Sequence, residues 1–63
     1  MPKDPCQPIR NDIAAVEEEI QSLETVIEEV PPSLKPHFAA IIKREKIHLM
    51  RLKRALSSCE RGR

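Results

Sequence analysis

Three groups of side chains in this chain are of types that do chemistry. They are two cysteines, Cys6 and Cys59; an acid and an imidazole three residues apart, Glu45 and His48; and a run of bases, Lys43, Arg44, Lys46, Arg51, Lys53 and Arg54. A pair of thiols can close a disulfide, ligate a metal or, once ionised, act as a nucleophile. Glu-x-x-His on a helix turns a carboxylate and an imidazole to one face, the spacing used in carboxylate-bridged metal bundles. The bases would suit phosphate oxygens. Which of these can operate depends on the elements that carry them.

Those elements are legible from the apolar spacing. Ile9, Ile13, Val16, Ile20, Leu23, Ile27 and Val30 recur at alternating intervals of four and three, the heptad seam of a helix packed on another helix. Phe38, Ile42, Glu45, Leu49, Leu52, Leu56 and Cys59 repeat the same alternation, with Glu45 the one break in it. Between the two runs, Pro31 and Pro32 cannot continue a helical ladder, and Pro31 pushes Val30 toward extended geometry. The spacing predicts helix 1 over about 7–30, a turn at 31–33 and helix 2 over about 34–59. Asp4, Pro5 and Gln7 resemble a helix start, which Pro8 shifts toward Gln7, and Ser33 is the expected N-cap of helix 2. Ser57, Ser58 and Gly62 suggest fraying at the end. So short a connection makes the helices antiparallel neighbours. The fold class is all-α: one domain, an antiparallel two-helix hairpin of coiled-coil type.

Residues that face each other across such a hairpin have position numbers with a constant sum, which the turn sets near 65. Ile9 with Leu56, Ile13 with Leu52, Val16 with Leu49, Leu23 with Ile42 and Ile27 with Phe38 all obey it, and so do Cys6 and Cys59. One register thus joins the apolar seams and brings together the only two cysteines. A Cys6–Cys59 disulfide closing the open end follows, with about 4 kcal/mol of chain-entropy stabilisation for a loop of this length. The competing reading is a pair of reduced thiols packed as small apolar groups in a reducing cytosol. Two distant cysteines without a nearby histidine do not make a tetrahedral zinc site.

Charge is near balance overall but divided between the helices. Residues 9–30 carry seven acids and Arg10, whereas residues 33–59 carry seven bases and Glu45. An acidic helix beside a basic one favours the antiparallel pairing over the alternatives. Met1 to Cys6 lacks the apolar run of a signal peptide, and nothing approaches the roughly 20 apolar residues that span a bilayer. A cytoplasmic protein is expected, without membrane partners.

Glu45, facing Ile20, and His48 one turn on read most simply as a polar core layer that fixes register or oligomeric state. The metal reading, with Glu17 and Glu24 adding carboxylates, is the weaker, and no cofactor is expected. His37 is expected on the surface. One glycine excludes phosphate-cradling loops, and no nucleophile–base constellation has a suitable context, so an enzyme is not expected. Beyond the seam, Ile41, Ile47 and Ala55, with Ala40, widen the apolar stripe of helix 2, and Val26 and Ala15, with Ala14, that of helix 1. Two helices cannot cover so wide a face. The sequence therefore points to a small structural or protein-interaction module, foremost a homodimer forming a four-helix bundle, or else a hairpin that docks an amphipathic helix of another protein. The alternative is a nucleic-acid-binding hairpin using the six bases named above, aided by Arg61 and Arg63. The acidic neighbour helix and the single aromatic residue argue against it.

Overall fold

A computed structural model describes residues 4–62. It contains two antiparallel helices, α1 (Gln7–Glu29) and α2 (Lys35–Arg61), packed along their length. Lys3 and the residues before it, and Arg63, lie outside the described residues, so the first part of the N-terminal arm and one of the expected phosphate contacts do too.

The helix boundaries follow from how backbone donors are satisfied. At the start, the Asp4 carboxylate accepts the Cys6 N–H (2.9 Å) and its carbonyl accepts the Gln7 N–H (3.1 Å). That local turn delivers the chain into α1 at Gln7, and Pro8 falls in the first turn, where a missing donor costs nothing. α1 ends at Glu29, because Val30 is extended (φ −79°, ψ 156°) as the residue before a proline must be. Its N–H still closes the last helical bond on Val26.

Ser33 does not cap α2 as expected. The Leu34 N–H bonds the Pro31 carbonyl (2.9 Å) and the Lys35 N–H that of Pro32 (3.3 Å), so the turn winds directly into the helix. With those donors already satisfied by backbone, a serine cap is redundant; Leu34 occupies the cap position with no side-chain bond. α2 also runs past residue 59 to Arg61, through the serines expected to fray. Two ties described below hold that end, and the Arg61 charge suits the negative pole of the helix.

The core is thin. Cys6, Val16, Ile20 and Ile42 are buried, and every other residue of the two seams is only half-covered. The radius of gyration is 15.0 Å, against about 10.6 Å for a compact chain of this length, so the molecule is a rod. Among the described residues no helix is long and apolar enough to cross a membrane.

Candidate functional site

Two helices side by side present two broad faces, each built from residues that flank the seam. Counting from the seam, one flank carries the heptad e positions: Arg10, Glu17 and Glu24 on α1, Lys46, Lys53 and Glu60 on α2. The structure bridges this face with a ladder of ion pairs across the helices, beside shallow depressions that Leu49 and Met50, and Ala39 and Ile42, help to line. Arg10 meets Glu60 at 2.8 Å, Glu17 meets Lys53 at 3.7 Å, and Glu24 meets Lys46 at 3.5 Å. In each pair the position numbers add to 70, a single offset from the seam, so ladder and seam share one register. These are exposed pairs, each worth at most about 1 kcal/mol, and they specify pairing more than they stabilise it.

The open end is held by a denser cluster. Cys6 and Cys59 form a disulfide, their Cα atoms 5.9 Å apart. Cys6 is fully buried. Beside it the Arg10 guanidinium donates to Asp4 (2.6 Å) and Glu60 (2.8 Å), tying the residues before α1 to the last turn of α2. Hydrogen bonds to Asp4, then to Glu60, hold the Arg10 pKa above its ordinary value. The sequence held a sign of this tie that charge totals concealed. Arg10 is the lone base of the acidic helix, Glu60 is an acid in the basic one, and both fall on the same flank.

The other broad face carries the g positions and is open. On α1 these are Asp12, Glu19 and Val26, and on α2 Ile41, His48 and Ala55. Among the described residues no ion pair crosses here. Val26 is 37% exposed and Ile41 half-covered. Next to His48 and Ala55 lies a shallow depression whose floor includes the seam residues Glu45 and Leu52.

The expected site residues separate on this frame. Glu45 does stand in the seam, half-covered and, among the described residues, without an ion pair, while His48 is exposed on the open flank. Glu17 and Glu24, expected as additional carboxylates, turn instead to Lys53 and Lys46 on the opposite face. Among the described residues no three metal-ligating side chains gather. Of the interface candidates, Val26, Ile41 and Ala55 share the open face. Ile47 sits at its margin on the outer side of α2 and is 39% exposed, and Ala15, also exposed, flanks the same face on α1. Met50, 49% exposed, joins Ile47 on that outer side and went unremarked in the sequence because it lies off the heptad seam. Of the bases, Lys46 and Lys53 are engaged in the ladder; Lys43, Arg44, Arg51 and Arg54 are exposed and make no ion pair among the described residues. His37 is exposed and sets its ring edge-on to Phe38.

Fold and site together define an antiparallel helical hairpin clasped at its open end. No family model, no curated protein and no solved structure matches the chain.

Proposed function

We propose that this chain is a non-enzymatic protein-interaction module that self-associates through its open broad face into a four-helix bundle. The observation that carries this reading is the asymmetry of the two faces. One is bridged by three exposed ion pairs in register, whereas the other has no ion pair across it among the described residues and carries Val26, Ile41 and Ala55. The accessible surface is 5011 Å². A compact protein of the same mass exposes about 4,100 Å². The excess of about 900 Å² matches the roughly 800 Å² that each partner contributes to a standard interface. A two-fold dimer is the commonest way to cover such a face with no second gene product.

Among the described residues the depressions along the rod are open to solvent and the titratable groups are dispersed, an arrangement that suits contact with a partner surface. A cytoplasmic location would keep the clasp in exchange with cellular thiols, leaving the heptad seam and the ion-pair ladder to hold the hairpin when the disulfide is reduced. A second reading draws on Lys43, Arg44, Arg51 and Arg54, four cations on one helix that suit a phosphate backbone. Its binding to a DNA duplex would fall steeply with salt.

The test is the mass in solution by light scattering over a range of concentrations, with the disulfide intact and reduced. A mass near twice 7.2 kDa in both states is expected. A mass of one chain at every concentration overturns self-association, and steep salt-dependent duplex binding by that monomer would favour the second reading.

A further inference from the structure

We infer that the occupant of the open face is a second copy turned about an axis parallel to the helices, so that α1 of each copy lies on α2 of the other. This rests on the self-association proposed above and adds its geometry. Two identical broad faces can meet through a two-fold axis in only two simple ways. An axis along the rod stacks α1 on α2 twice and keeps every residue at its own level. An axis across the rod stacks α1 on α1 and α2 on α2, and inverts the levels.

The charges on and beside the open face distinguish the two. Its acids, Asp12 and Glu19, are both on α1, and its cations, Arg44 and Arg51, are both on α2; none of the four makes an ion pair among the described residues. With the axis along the rod, the register that pairs Cys6 with Cys59 also sets levels between copies. Glu19 then lies opposite the stretch of the other copy between Arg44 and His48. Asp12 comes within a turn of Arg51, and Val26 comes beside Ile41. Each contact occurs twice by symmetry, and each joins unlike charges or two apolar groups. With the axis across the rod, Arg44 falls near Arg51 of the other copy and Glu19 near its own counterpart, so these like charges face one another. Glu19, Arg44, Asp12 and Arg51 thus determine the orientation, while the apolar residues supply contact area without choosing between the two arrangements.

The arrangement brings both disulfide clasps to one end of the bundle and both Pro31–Pro32 turns to the other. A spin label on Ser33→Cys, attached while the native disulfide is intact, reads this directly by dipolar spectroscopy. Helices pack 8–10 Å apart, so turns at one end place the labels within about 30 Å. Turns at opposite ends separate them by close to the 50 Å length of the molecule. A second measurement has opposite signs for the two arrangements. Glu19→Lys raises the dimer dissociation constant about tenfold if Glu19 meets cations, and Arg44→Glu in the same chain restores it. If Glu19 meets its counterpart, Glu19→Lys in one of two mixed chains tightens association instead. A short label distance with the weakening and its rescue is the expected result. A dimeric mass with a long distance, or with tightening, overturns the orientation alone, whereas a monomeric mass overturns self-association and this geometry with it.

Discussion

Removing the Cys6–Cys59 bond, by a phosphine reductant or by the double substitution Cys6→Ala and Cys59→Ala, should lower the melting temperature by about 20–30 °C. The bond closes a loop with a sequence separation of 53. Chain-entropy reasoning for a loop of that size gives about 4 kcal/mol, of which the folded state retains about 3–4 after ordinary relaxation. In a chain this short 1 kcal/mol moves the midpoint by up to about 8 °C, so the shift is large. The thin core makes it matter more, because only four of the described residues are buried and little else opposes opening from that end. Circular dichroism at one fixed protein concentration is the assay, since the proposed self-association would make the midpoint concentration-dependent. Urea unfolding adds a second readout: the uncrosslinked chain exposes more surface when unfolded, so its dependence on urea should steepen. Reduction and substitution must agree, which separates the loss of the cross-link from any cavity left at buried Cys6. A shift below about 5 °C in both arms would refute the reasoning, and would mean that the Arg10 bridge and the seam already hold the open end.

Other outcomes follow from single residues. Arg10→Ala removes the tie between Asp4 and Glu60 beside the disulfide and should speed its reduction by a dithiol several-fold, read by thiol release, with the melting temperature little changed. Ile42→Ala, at one of the buried seam positions, should cost about 2–4 kcal/mol in urea unfolding; a loss under 1 kcal/mol would mean that the seam does not carry the fold. Glu45→Leu fills the break opposite Ile20 and should stabilise the hairpin by about 1 kcal/mol, through burial of apolar area in place of a half-covered carboxylate. Destabilisation by that substitution, measured the same way, would show that Glu45 makes a favourable contact in the folded protein.

The seam and the disulfide register were legible because both rest on periodicity, and heptad spacing specifies which residues face the other helix. Arg10 and Glu60 were not read as partners, since charge summed over a helix hides the position of each group. Sorted by flank instead, Arg10, Glu17 and Glu24 against Glu60, Lys53 and Lys46 would have shown which broad face is bridged. The same step would have separated Val26, Ile41 and Ala55 from Ile47, which the width of an apolar stripe alone had grouped together. The N-cap at Ser33 failed for a different reason. A side-chain cap is needed only where backbone carbonyls do not reach the free donors, and how the turn at 31–34 winds is a property of three-dimensional geometry that residue preference does not encode.

The position of the clasp has a mechanical consequence. Chain segments attached outside Cys6 and Cys59 leave the rod at the same end, within 5.9 Å of one another at the level of their Cα atoms. Tension applied between such segments passes through the covalent sulfur bridge and bypasses the helices, the turn and the seam. With the bridge intact the hairpin transmits load without unfolding. Once a thiol reductant opens it, the same load falls on the ion pair at Arg10 and then on one seam layer at a time, the geometry in which helices unzip at the lowest force.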